Sequence, residues 1–369
     1  MIRYILLVIV IALFFEGPWI PNAQAAPVVA DKSAPCTTST NTCTEWVGLG
    51  GGSPARAMIY RSYPLTVRKE AIHRALIMVH GANRNADHYF ATATAAAFLA
   101  GTLDTTIIIA PLFKATDGNC KDKLEPNEVS WKCGGDSWRS GGASLTNQDL
   151  TSFDFVDGLV KKLADKKVFP NLTAIVIAGH SAGGQFVMRY QMANRVQETL
   201  GVPLFYVSAN PSSYAWPDAS RILPVDDGTP ENAGLGWSLE DKPHTGFSFG
   251  PFDATKVPTY DHWPYGLEDR TGGYTVKLSD DELKRQMVAR SSNTTYLLSQ
   301  VDTLPLGGFD KSPSAMAQGP TRRARGEAFV KYTNEQLGAK HKVIIIPECG
   351  HNDRCVYTTD IVFSTLFPK

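Results

Sequence analysis

The run Ala174-Ile175-Val176-Ile177-Ala178-Gly179-His180-Ser181-Ala182-Gly183-Gly184 passes directly from an apolar stretch to a glycine-rich turn with a serine at its centre. The apolar start is continuous and rich in β-branched side chains, as a strand buried on both faces requires. The residues from Gly183 onward have helical character, so the serine stands where a strand gives way to a helix. Gly-x-Ser-x-Gly in that context is a tight turn in which a side chain at Gly179 or Gly183 meets neighbouring backbone, while Ser181 Oγ projects from the sheet. The Ala182 amide then sits at a helix N-terminus, placed to donate to negative charge developing beside Ser181.

On either side of this turn, short apolar runs recur at 57–60, 75–79, 106–110, 204–207, 296–301 and 343–346. Helix-like stretches at 86–99, 150–164, 183–198, 280–288 and 320–337 separate them, and Ser279 with Glu282 has capping-box spacing ahead of one. Alternating strands and helices predict an α/β fold: a mostly parallel central sheet with helices on both faces. Two segments break the alternation. Residues 111–145 hold Trp131 and Trp138; residues 217–278 hold Trp237, Phe247, Phe249, Phe252, Trp263 and Tyr265. Long irregular stretches of this kind serve as lids or binding loops, so both are expected to wall a site, the second as a lid or substrate-binding insertion.

The N-terminus reads as a secretory signal peptide: Met1-Ile2-Arg3, an apolar run from Tyr4 to Phe15, then small residues up to Ala23-Gln24-Ala25. The run is shorter than the roughly 20 apolar residues that span a bilayer, so cleavage after Ala25 and no stable membrane insertion are expected. That leaves about 340 residues, large for one domain but ordinary for an α/β sheet with an insertion. Lys plus Arg equals Asp plus Glu at 36 each, and no basic run suggests a nucleic-acid partner. All six cysteines lie beyond the signal segment in three local couples: Cys36 with Cys43, Cys120 with Cys133, and Cys349 with Cys355. An even count in an exported chain favours disulfides over a metal site, and no Cys-x2-Cys spacing occurs, so a secreted or periplasmic location and no metal are expected.

Three further features accompany the serine turn. His80-Gly81 follows the run at 75–79, Asp302 follows that at 296–301, and His351 lies on a short loop after 343–346. Together these resemble the α/β-hydrolase superfamily across nearly all of the chain after the signal segment. The resemblance implies an eight-stranded core sheet, hydrolysis through an acyl-enzyme, and no cofactor. It also implies a chain order of serine, then acid, then histidine.

On that order Ser181 is the expected nucleophile and His351 the base, since a serine hydroxyl needs a neighbour to take its proton and imidazole titrates near neutrality. The other histidines after Ser181 are His244 and His262 in the insertion and His341, which reads as a solvated residue between lysines. Asp302 is the expected acid, with Asp310 and Asp353 as alternatives, the latter too close in sequence to His351 for the family order. The amides of Ala82 and Ala182 are the expected oxyanion donors, and His80 reads as a buried hydrogen-bonding residue.

The chemistry expected is acyl transfer to water on a small-molecule or polymeric ester. An amidase or peptidase is the alternative on the same residues, and a binding protein lacking the chemistry is the alternative outside enzymes. Trp138, His262, Trp263 and Tyr265 are candidate substrate contacts, suggesting an apolar or aromatic group. Arg322, Arg323 and Arg325 read as a solvated helix face, or else as a site for a substrate carboxylate. Oligomeric state leaves no mark in the sequence.

Overall fold

In the central strands, successive residues divide between two apolar clusters. Ala75, Ile77, Val79, Ile107, Ile109, Ile175 and Ile177 belong to one cluster, whereas Leu76, Met78, Ile108, Ala110, Val176 and Ala178 belong to the other. Alternation of side chains across a pleated strand produces this division, and it explains why the runs read as continuously apolar. A computed structural model describes residues 34–50, 54–134, 137–223, 248–270 and 273–369, all within one compact unit, Asp31–Lys369. The expected signal segment, and Trp237, His244 and Phe247 of the expected lid, lie outside the described residues.

The strands are β1 Thr44–Gly48, β2 Arg56–Arg61, β3 Arg74–Val79, β4 Thr106–Pro111, β5 Ala174–His180, β6 Leu204–Ala209, β7 Ser220–Leu223, β8 Ser248–Pro251, β9 Thr294–Ser299 and β10 Lys342–Ile346. Eight of them form one sheet in the order β1-β2-β4-β3-β5-β6-β9-β10. β1 pairs antiparallel with β2 and β2 with β4; every later neighbour pairs in parallel. The expected mostly parallel sheet of eight strands is therefore present. β7 and β8 form a separate antiparallel pair within the expected lid.

The helices are α1 Ala86–Leu99, α2 Ser152–Leu163, α3 Ala182–Ala193, α4 Asp280–Ala289, α5 Pro313–Met316, α6 Arg322–Leu337, α7 Asp353–Tyr357 and α8 Phe363–Leu366. Side chains of α2, α3 and α6 pack into the first cluster and those of α1, α7 and α8 into the second, so helices cover both faces. Thr151 with Asp154 and Ser279 with Glu282 close capping boxes at the starts of α2 and α4. Among the described residues no helix is long and apolar enough to cross a membrane.

One expectation fails. The stretch from Ala26 to about Gly52, whose Ser, Thr, Pro and Gly content predicts an irregular lead-in, contains β1, an edge strand in which Val47 is buried while Glu45 and Trp46 are partly open. With one face on the core and a charge in its middle, that strand lacks the continuous apolar pattern of the central ones. The parallel arrangement brings the loops after β3, β5, β9 and β10 to one edge of the sheet, and the candidate site forms there.

Candidate active site

The serine turn is closed by backbone packed on backbone. A Cβ at Gly179 would lie 2.4 Å from the Gly183 carbonyl oxygen, one at Gly183 only 2.3 Å from that of Val79, and one at Gly184 2.6 Å from that of Ala209. Only glycine permits these approaches. Ser181 itself has φ 59° and ψ −118°, a conformation that costs energy for a residue with a side chain and persists because the packing around it leaves no alternative. Its position at the end of β5, capping α3, is the one expected from the sequence.

The loop after β3 lies against this turn through Gly183. His80 is fully buried; its Nε2 accepts a hydrogen bond from the Phe113 amide at 3.1 Å, so its Nδ1 carries the proton donated to the Gly81 carbonyl at 2.8 Å. Burial lowers its pKa to about 4, and the ring is neutral. Among the described residues the amides of Ala82 and Ala182 have no hydrogen-bond acceptor. Two amide donors without acceptors at the mouth of a site suit an anionic atom.

His351 Nδ1 and Asp302 Oδ2 are 2.7 Å apart. The loops that carry them are tied together, with the Gln300 amide donating to the Ile346 carbonyl at 2.9 Å and the Val301 amide to the Cys349 carbonyl at 3.1 Å. Cys349 and Cys355 are disulfide-bonded on either side of His351, and Cys36–Cys43 and Cys120–Cys133 form the other two expected pairs. Asp310 and Asp353 do not approach His351 by hydrogen bond. Asp310 Oδ2 accepts from the Tyr265 hydroxyl at 2.9 Å, and Asp353 meets His88 and Thr92.

Ser181 and His351 line one cavity of about 340 Å³, together with Ala82, Asn83, Tyr89 and Asp353. Ser181 Oγ makes no hydrogen bond among the described residues; such contacts are often long in unliganded sites and tighten with substrate. The His180 ring lies beside that of His351, tilted by 37° with centroids 4.4 Å apart, and its Nδ1 lies 3.2 Å from the Tyr89 hydroxyl. Burial holds the His180 pKa well below the usual value, and the neighbouring His351 pushes it the same way, so His180 stays neutral against its neighbour.

The sequence reading missed Arg322. Both expectations for the arginine cluster are corrected: Arg322, Arg323 and Arg325 are neither solvated nor open to a substrate but buried within the fold. Arg322 donates to Asp302 Oδ1 at 3.1 Å, to Ser212 Oγ at 2.8 Å, and to the carbonyls of Leu306 and Gly307 at 2.8 Å each. Asp302 thus has His351 on one oxygen and Arg322 on the other. His341 is likewise buried rather than solvated, its Nδ1 2.9 Å from Thr333 Oγ1.

The four candidate substrate contacts separate. Trp263 and Tyr265 line a second cavity of about 460 Å³. Trp138 lines neither cavity; it is buried in the core, stacked on Phe113 and edge-on to His80. His262 also lines neither and pairs with Asp269 at 3.2 Å. The second cavity is not the aromatic pocket expected, because Arg139, Gln185, Arg189, Ser213 and Lys311 share its wall with the rings. Helical spacing was the available signal for two of these, since Gln185 and Arg189 follow Ser181 at i+4 and i+8.

Residues 76–360 match the sequence profile described as the Alpha/beta hydrolase family. Among solved structures, the chain is similar to the poly(3-hydroxybutyrate) depolymerase LpqC from Bordetella parapertussis, with 20% identity, a TM-score of 0.53, and coverage of 85% of this chain and 84% of that one. It is also similar to poly(aspartic acid) hydrolase-1 from Sphingomonas sp. KT-1, with 21% identity, a TM-score of 0.52, and coverage of 85% and 95%. None of the curated proteins compared matches in sequence. At these identities the solved structures speak for the fold, and the profile, which spans most of the chain, for the family. The chain belongs to the alpha/beta hydrolase family.

Proposed function

We propose that this hydrolase is a secreted serine esterase in which Ser181 attacks a carboxylic ester carbonyl. His351 takes the serine proton and delivers it to the departing alcohol, with Asp302 holding the imidazole in the tautomer that leaves Nε2 free to accept. The Ala82 and Ala182 amides donate to the tetrahedral oxyanion, and water repeats the cycle on the acyl-enzyme. The observation that carries this reading is Ser181 held in a strained turn in the same cavity as His351, whose other nitrogen meets Asp302 at 2.7 Å. An ester is favoured because an alkoxide leaving group asks less of the proton donor than an amine. Segment 217–278 contributes Trp263 and Tyr265 to the neighbouring wall. The disulfides fit export into an oxidising compartment, which the N-terminal segment also suggests.

The test is hydrolysis of p-nitrophenyl esters, from acetate to longer chains, by the wild-type protein and Ser181→Ala, alongside labelling by a fluorophosphonate. Turnover and label are both expected to vanish in the variant. Equal turnover by the two proteins would remove Ser181 from the reaction.

A further inference from the structure

The geometry points to the second cavity as a carboxylate subsite, so that the preferred substrates are esters that also carry a free carboxylate. This rests on the reading of Ser181 as nucleophile. The two cavities meet at Gly308, which lines both. They are also linked by α3: the Gln185 amide donates to the Ser181 carbonyl at 3.0 Å, and Gln185 and Arg189 lie one and two turns beyond the serine. At 1.5 Å per residue they stand about 6 and 12 Å along the axis from Ser181. A substrate reacting at Ser181 reaches this cavity with a chain of a few atoms.

The side chains that face the cavity are mostly donors. Arg189, fully buried, donates to Ser213 Oγ at 3.2 Å and to the Pro264 carbonyl at 3.1 Å. Gln185 Nε2 donates to the same Ser213 oxygen at 2.6 Å. With two donors directed at it, the hydroxyl of Ser213 keeps its own proton for a group in the cavity. Arg139 and Lys311 add two more cations to the lining, and neither forms an ion pair among the described residues. Among the described residues Asp310 is the one carboxylate in the lining, and both its oxygens accept hydrogen bonds, from the Tyr265 hydroxyl at 2.9 Å and the Ser312 amide at 3.0 Å. Three cationic side chains against one carboxylate leave the described wall with a net positive charge that attracts an anion, and the planar guanidinium fork matches a carboxylate. Asp353 lines the first cavity, so a carboxylate is repelled from that end and the substrate's orientation follows.

The experiment compares two pairs of similar esters at one ionic strength. p-Nitrophenyl hemiglutarate against p-nitrophenyl pentanoate places the carboxylate on the acyl side; 4-acetoxybenzoate against 4-acetoxybenzamide places it on the alcohol side. In at least one pair kcat/KM is expected to favour the carboxylate about tenfold, the size of one charge-assisted contact, and the preference to shrink as salt is added. The preference is expected to fall to near unity in Arg139→Gln/Lys311→Gln and to persist in Lys331→Gln, whose lysine pairs with Glu335 on α6.

Calorimetric titration of Ser181→Ala with glutarate gives a readout independent of turnover, with binding expected and weakened about tenfold by the same double substitution. Absence of any preference together with absence of glutarate binding overturns the subsite, as does a preference that the double variant retains. If no ester is turned over but glutarate binds and the double variant weakens it, the esterase reading fails and the subsite stands. Arg139 is half-buried and Lys311 exposed, and each is also to be changed singly, so a folding defect in the double variant does not obscure the result.

Discussion

Replacing Arg322 by Met is expected to injure the protein through a charge left behind. Arg322 is fully buried and Asp302 nearly so, and the guanidinium makes four contacts: one Asp302 oxygen, the Ser212 hydroxyl and two loop carbonyls. Burial lowers the Arg322 pKa while the Asp302 charge opposes that shift, as in a desolvated ion pair whose members depend on each other. Removing one partner of such a pair costs about 3–5 kcal/mol. For a folded unit of roughly 340 residues, with an unfolding entropy of about 2.1 cal/mol/K per residue, that is a fall in Tm of about 4–7 °C. Differential scanning calorimetry measures it directly. Ester kcat/KM is expected to fall about tenfold to a hundredfold, because the 306–307 loop and Asp302 lose a common anchor and His351 is oriented through them. The diagnostic variant is the double one, Arg322→Met/Asp302→Asn. It should melt above Arg322→Met alone, since a neutral amide replaces an unpaired buried carboxylate, with a coupling of about 1–3 kcal/mol. An unchanged Tm in Arg322→Met, or a double variant that loses the full sum of the two single changes, would show that the two charges do not depend on each other.

Two more predictions concern the interior. His80 and His341 have pKa values lowered to about 4 by burial, and His180 is lowered well below its usual value by burial and then by His351. The unfolded chain takes up protons at these positions near pH 6.5 while the folded one does not, so stability is full above about 6.5 and is lost as pH falls toward 4. The slope is about 1.4 kcal/mol per pH unit for each histidine. Tm should drop between pH 7 and pH 5, before most carboxylates titrate, and His341→Gln should make the drop shallower; a Tm flat across that interval counts against the account. Gly183→Ala should abolish the fold or the activity, because its Cβ would meet the Val79 and His80 carbonyls at 2.3 and 2.7 Å. A folded and fully active Gly183→Ala protein would show that the turn relaxes more cheaply than these distances allow.

The central strands were legible because burial on both faces writes itself as uninterrupted apolar runs, and the serine turn because glycines flank a serine between two such elements. The meeting of Asp302 with His351 was legible as well, since both follow strands whose ends share one edge of the sheet. What the sequence concealed has a common physical origin. β1 is half-exposed and charged, so its pattern resembles a loop. Arg322, Arg323 and Arg325 carry the charges of a solvated face, yet their partners lie elsewhere in the chain: Asp302 and Gln300 beyond β9, and Ser212 beyond β6. Trp138 illustrates the converse, an aromatic in an irregular segment that packs into the core rather than lining a site. Gln185 and Arg189 went unread although helical spacing puts them on a face with Ser181, and no spacing reveals that Ser213 and Pro264 complete that wall.

Backbone-to-backbone closure at Gly179, Gly183 and Gly184 leaves that part of the molecule without tolerance for inserted atoms, because no side chain can swing aside to make room. The wall of the second cavity is assembled differently, from side chains of α3 and of loops around residues 139, 213, 263 and 310. A scan of all single substitutions should therefore divide the site sharply, intolerant at the glycines and permissive at the loop positions. Variation can enter through the half proposed to recognise a ligand while the half that seats the serine stays fixed. On that proposal, substitutions in the second cavity change which ligand is held without disturbing the turn that holds Ser181.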